Sequence, residues 1–177
     1  MNTEYEIRVL EIDKDKLIKR LNELNAKFIG EFNQKRYVYN IIPKTDGRWL
    51  RLRTNGKKTT LTYKSVEKNS IDGTKELEIE VEDFEKTNNL LELVGVKNKG
   101  YQENNRIQYI LDGVEIDIDS WPLIPTYVEI EGENEESVLN ILKKIAIDDK
   151  KVTTLDVQSI YKEIYNIDIT EINILKF

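Results

Sequence analysis

The sequence predicts an α+β fold, a mainly antiparallel closed β-barrel of about eight strands with a charged interior and about four helices outside. Three observations predict it. Charged and apolar residues alternate with period two along segment after segment, which marks strands with two different faces. Asx-Gly dipeptides fall between several of these segments, where hairpins need turns. The remaining stretches carry apolar residues at helical spacing, two of them with an Asp or Asn in place to cap the first turn.

Along residues 4–10, Glu4, Glu6 and Arg8 share one face, and Tyr5, Ile7 and Val9 share the other. A helix is predicted over 14–28, with Leu17, Leu21, Leu24 and Phe28 as its stripe and Asp13 as N-cap. Residues 36–41 form a strand of less regular alternation. Over 48–54, Arg51 and Arg53 oppose Leu50 and Leu52; Asn55-Gly56 then turns into 58–64, where Lys58, Thr60, Thr62 and Lys64 oppose Leu61 and Tyr63. Over 75–82, Glu76, Glu78, Glu80 and Glu82 face away from Leu77, Ile79 and Val81. A helix over 84–94 stops at Gly95. Arg106 and Gln108 lie on one face of 106–111. Asp112-Gly113 leads into 114–119, where Glu115, Asp117 and Asp119 share a face. Glu129, Glu131 and Glu133 do so over 127–133. Asn134 caps a helix over 135–146 with Val138, Leu142 and Ile145 as its stripe, and a fourth helix is predicted over 154–165. Residues 166–177 form a tail or an extra strand.

A single alternating strand ordinarily turns its charges to solvent. This set argues otherwise. Glutamate is depleted in strands, yet 75–82 carries four on one face, and other strands carry files of one sign. Amphipathic helices need apolar surface to cover. If the strands close into a barrel, their apolar faces supply it outside and their charged faces line the interior. Such an interior is costly unless acids meet bases, or a highly charged ligand and metal ions. A triphosphate with divalent cations meets both needs: arginine and lysine hold the phosphates, and carboxylates hold the metal.

Composition narrows the chemistry. There is no cysteine and no histidine, which removes thiol nucleophiles, imidazole bases and soft-metal sites built on them. A net charge of −6 and a pI near 5.0 argue against nucleic acid as a partner. With 177 residues, three prolines and eight glycines, a single domain over 1–177 is expected. No apolar run is long enough for a membrane span, and the chain opens directly on a charged strand. The expectation is a cytoplasmic protein with no membrane partner.

The ordered motifs resemble the CYTH domain, the triphosphate tunnel metalloenzyme superfamily of class IV adenylyl cyclases, thiamine triphosphatases and inorganic triphosphatases. That family opens with Glu-x-Glu-x-Lys, and here stands Glu4-x-Glu6-x-Arg8. Its Arg-x-Arg pair is matched by Arg51-x-Arg53, its lysine strand by Lys64, and its Glu-x-Glu strand within Lys75–Glu80. Asn104-Asn105-Arg106, then Asp117 to Trp121, then Val128 to Gly132 follow in order, and Ser159-Ile160-Tyr161 resembles the closing segment. The likeness spans about 4–165. Two departures stand out: Arg8 replaces a lysine, and Asn104 stands where the family's Lys-x-Arg strand has its first cation.

The resemblance implies that Glu4, Glu6, Asp119, Glu129 and Glu131 bind Mg²⁺ or Mn²⁺, with Glu78 or Glu80 in addition. It implies that Arg8, Arg51, Arg53, Lys64 and Arg106 hold a triphosphate chain, and that Glu4, Glu6, Arg8 and Glu129 form the catalytic centre. The implied activity is hydrolysis of inorganic triphosphate, thiamine triphosphate or a nucleoside triphosphate. A class IV adenylyl cyclase is the alternative, and a noncatalytic triphosphate-binding module a third reading. The partner is a triphosphate-bearing small molecule, and a homodimer is compatible with the resemblance.

Overall fold

A computed structural model of the chain describes residues 1–146 and 151–177. Eight strands form the barrel: β1 (Asn2–Val9), β2 (Lys27–Asn40), β3 (Arg48–Thr54), β4 (Thr59–Val66), β5 (Thr74–Glu80), β6 (Asn98–Leu111), β7 (Val114–Ser120) and β8 (Tyr127–Gly132). Their order is β6-β2-β3-β4-β5-β1-β8-β7, and pairing of β7 with β6 closes the ring. Every neighbouring pair is antiparallel. Two short strands lie outside the ring: β9 (Val152–Thr153) on β1, and β10 (Ile174–Leu175) parallel to β6.

The apolar faces turn outward under the helices, as the patterning requires. α1 (Lys14–Glu23) and α3 (Glu135–Ile145) bury Leu17, Leu21, Val138, Ile141 and Ile145 against Ile7, Val9, Ile107, Ile116 and Ile130 of the wall. Asp13 and Asn134 cap these helices through their side chains, accepting from the backbone N–H groups of Lys16 and Ser137. α2 (Phe84–Leu93) covers the wall more sparingly. Its Asn88 accepts from the Tyr39 hydroxyl at 2.9 Å, while Leu90 and Leu93, with Leu77 and Ile79 of β5, stay exposed. A second core joins Leu10, Trp121, Ile124 and Tyr127 to Ile160, Tyr161, Ile169 and Leu175 from the C-terminal segment.

Four elements depart from the sequence-based expectation. The first helix ends at Glu23, not at residue 28, because Asn25 turns the chain left-handed (φ 56°) and Phe28 then lies on β2, edge-on to Tyr109 at 5.4 Å. β2 and β6 both begin well before their alternating stretches, and being antiparallel they pair the early half of each with the late half of the other, from Lys27 opposite Ile110 to Tyr39 opposite Asn98. The fourth helix is a short turn, α4 (Val157–Ser159), continued by a π-helical turn over Ile160–Ile164. The tail supplies an extra strand, β10, and Gly100 lies so close beneath it that an added Cβ would meet the Ile172 carbonyl oxygen at 2.8 Å.

Candidate functional site

Because the strands are closed and alternate, the barrel interior receives every second side chain. Two cavities occupy it, of about 760 Å³ and about 280 Å³, and Arg51 and Lys64 line both. Cations outnumber acids eight to four around the larger one, whereas acids outnumber cations six to four around the smaller. The interior is therefore polarised from a basic end to an acidic end.

The pairing of β1 with β8 sets Glu6 opposite Glu131 and Arg8 opposite Glu129, with Glu6 and Arg8 lining the larger cavity and Glu129 and Glu131 the smaller. Carboxylate oxygens of Glu6, Glu129 and Glu131 come within 4.8 Å of one another. Burial, reinforced by Glu129, Glu4 and Glu6, pushes the Glu131 carboxyl up to about 8. Burial raises Glu6 as well, against the pull of Arg8. Glu129 moves the other way: burial alone would raise it, but Arg8 and Arg106 outweigh burial and hold it well below the usual carboxylate range. Oxygen donors alone suit a hard divalent cation, and such an ion would relieve the repulsion that lifts Glu131.

Four of the inward cations are tied to acids. Arg8 donates to Glu6 at 2.9 Å, lies 2.6 Å from Glu129, and gives its other terminal nitrogen to the Leu155 carbonyl at 3.0 Å. Arg106 grips Asp119 through Nε at 2.9 Å and Nη2 at 2.6 Å, bonds Asp117, and reaches Glu129 at 3.3 Å. Asp117 is buried beside Asp119 and Glu129, and even with Arg106 attached its carboxyl is pushed up to about 7. Lys64 donates to both oxygens of Glu4, at 2.8 and 2.7 Å, and stands 3.4 Å from Glu76. Arg51 lies 3.7 Å from Glu78, which accepts from the Thr62 hydroxyl at 2.8 Å. Arg53 has no carboxylate at ion-pair distance among the described residues, and burial, then Arg51 and Arg106, lower it to about 10.

Of the metal ligands inferred from sequence, the structure gathers Glu6, Glu129 and Glu131. Glu4 instead faces Lys64, and Asp119 is enclosed by Arg106 and by Asn104, whose amide donates to it at 3.2 Å. Glu78 lines the smaller cavity, but Glu80 is exposed at the rim, 3.7 Å from Lys58. The inferred phosphate ligands Arg8, Arg51, Arg53, Lys64 and Arg106 all line one or both cavities. Sequence reasoning passed over Arg36 and Gln102, which line the larger cavity, and over Tyr127, whose buried hydroxyl has no partner among the described residues. Counting back in steps of two from Val38 along β2 reaches Arg36, and that was the available signal.

Comparison with known proteins agrees with this architecture. A protein of Methanocaldococcus jannaschii, provisionally named an adenylate cyclase, is 30% identical over 158 residues, covering 81% of this chain and 90% of its own. A conserved hypothetical protein of Pyrococcus furiosus superposes with a TM-score of 0.77 at 24% identity, over 88% of this chain and 98% of that one. A Hippeastrum protein, described as an adenylyl cyclase with a dominant triphosphatase activity, shares the fold with a TM-score of 0.64 at 18% identity, over 92% and 96% of the two chains. The CYTH domain model matches residues 2–169, nearly the whole barrel and its C-terminal support, and the chain belongs to the CYTH domain family.

Proposed function

We propose that this protein hydrolyses a triphosphate with the help of a divalent cation, Mg²⁺ or Mn²⁺. The observation that carries the reading is the clustering of Glu6, Glu129 and Glu131 within 4.8 Å in a barrel that also turns Arg8, Arg51, Arg53, Lys64 and Arg106 inward. Those three carboxylates would hold the cation, which when bound neutralises charge on phosphate oxygens. Arg8, Arg51, Arg53, Lys64 and Arg106 position the chain of phosphates and offset charge as it develops. In the reaction, oxygen from water bonds to the terminal phosphorus as the bridging P–O bond breaks, the bridging oxygen leaving with the diphosphate part, to give orthophosphate, a diphosphate and a proton released to solvent. Glu4 and Glu76 anchor the Lys64 ammonium until the anion displaces their hold on it.

Adenylyl cyclisation is the second reading, favoured by the name of the M. jannaschii relative. Hydrolysis is preferred because, among the described residues, the larger cavity is lined by eight cations and by Trp49 as its sole aromatic; this suits phosphate better than a purine. The dominant activity described for the Hippeastrum protein points the same way. The test is incubation of the purified protein with inorganic triphosphate, thiamine triphosphate and ATP, each with Mg²⁺ or Mn²⁺, and resolution of the products. Orthophosphate is the expected product. Cyclic AMP with pyrophosphate from ATP would instead establish the cyclase, and tight binding without turnover a binding module. Glu6→Gln should abolish metal-dependent turnover; unchanged turnover would sink the assignment of the centre.

A further inference from the structure

We propose that Arg36, a residue outside the set of phosphate ligands considered so far, binds substrate directly, closing with Arg53 on one phosphoryl group of the triphosphate. The inference rests on the triphosphate reading and extends it to a new residue. Arg36 stands on β2 directly opposite Arg53 on β3, and both side chains point into the barrel. Like charges in facing positions of a sheet repel, and an enclosed site increases that repulsion. Deeper in the barrel Arg8, Arg51, Lys64 and Arg106 each have an acid at ion-pair distance. Among the described residues, Arg36 and Arg53 have none at ion-pair distance. An anion between them is the partner that the protein itself does not supply.

Arg36 is also held in a defined pose. Its guanidinium lies 4.3 Å from the centre of the Trp121 ring, and its Nε donates to Gln102 Oε1 at 2.8 Å. This leaves both terminal nitrogens of the fork for an oxyanion, in the planar geometry that suits phosphate. The position also accounts for the departure at Asn104. On β6, Gln102 faces Arg36 and Asn104 faces Gln34, so Arg36 lies one inward step from Asn104. This brings a cation from the neighbouring strand close to residue 104, where the resemblance implies one. Burial lowers Arg36 to about 10, which leaves it charged at neutral pH and still without a counter-ion.

The test is calorimetric titration of the full chain with inorganic triphosphate in EDTA, which prevents metal-dependent turnover, with thermal melts run in parallel. Arg36→Gln should weaken binding by about 10- to 100-fold, the range of a lost charge-assisted pair of hydrogen bonds, and should shrink the triphosphate-induced rise in Tm. Arg36→Lys keeps the charge but loses the fork and should fall between the two. If Arg36→Gln binds as tightly as the wild type, the role of Arg36 is overturned while the triphosphate reading stands. If Arg36→Gln does not fold, Arg36→Lys carries the test, and binding equal to wild type overturns the role. A wild type that binds no triphosphate overturns both. A purely structural Arg36 would lower the unliganded Tm and leave the affinity unchanged, which also overturns it.

Discussion

Replacing Glu131 with glutamine isolates the electrostatic cost of the carboxylate cluster. Glu131 is enclosed beside Glu129, Glu4 and Glu6, and its carboxyl is pushed from 4.5 to about 8. A carboxyl raised in the folded state holds its proton more tightly there than in the unfolded chain. Stability is therefore fully present below about pH 4.5 and is lost as pH rises towards 8, after which no more is lost. Displacement over that interval corresponds to about 5 kcal/mol at most. Glutamine mimics the protonated acid, so Glu131→Gln should lie nearest the wild type at pH 5, exceed it increasingly towards pH 8, and hold that gap to pH 9. For a chain of this size each kcal/mol moves Tm by about 2–4 °C, so a gap of roughly 10 °C should open. Thermal melts in EDTA from pH 5 to 9 measure it. Metal binding must also expel the proton, so titration of Mg²⁺ or Mn²⁺ near pH 7 in buffers of different ionisation enthalpy should register proton release in the wild type, with that from Glu131 absent in the variant. Parallel stability profiles for the two proteins would refute the reasoning.

Two further substitutions probe other parts of the barrel. Lys64→Met leaves Glu4 buried with no cation at contact distance; it should cost about 3–5 kcal/mol in denaturant titrations and lower kcat/KM on inorganic triphosphate by at least about 100-fold. Ala146 closes α3 in the left-handed conformation (φ 53°), so Ala146→Gly should raise stability by about 1 kcal/mol without changing turnover, as urea unfolding and a phosphate-release assay would show.

The barrel was legible because most of its strands have one face for helices and one for the charged interior. β1, β3, β4, β5, β7 and β8 therefore carry clean alternation. The early halves of β2 and β6 do not: residues such as Glu31, Asn33, Lys35 and Glu103 are polar on the outward side too, so no period separates the faces. The site shows a related limit. Period two tells which face a residue takes but not its depth along the barrel, and so Glu78 and Glu80 read alike although Glu78 reaches the cavity and Glu80 ends at the rim. The pairing of Glu4 with Lys64 and the opposition of Arg36 to Arg53 depend on register between strands, which no single segment encodes.

The position of β1 has a consequence for how the molecule assembles. Both main partners of β1 lie far downstream: β5 pairs with its first half and β8 with its second, and the β8 side divides the carboxylates, Glu6 on one strand and Glu129 and Glu131 on the other. The first barrel strand to be made must wait for the last before the ring can shut, and such remote pairing is slow. The acidic cluster straddles that final seam and does not exist until the seam is sewn. A cation that bridges it, binding the closed ring and not the open one, would act as a latch on the last step of folding as well as a participant in chemistry.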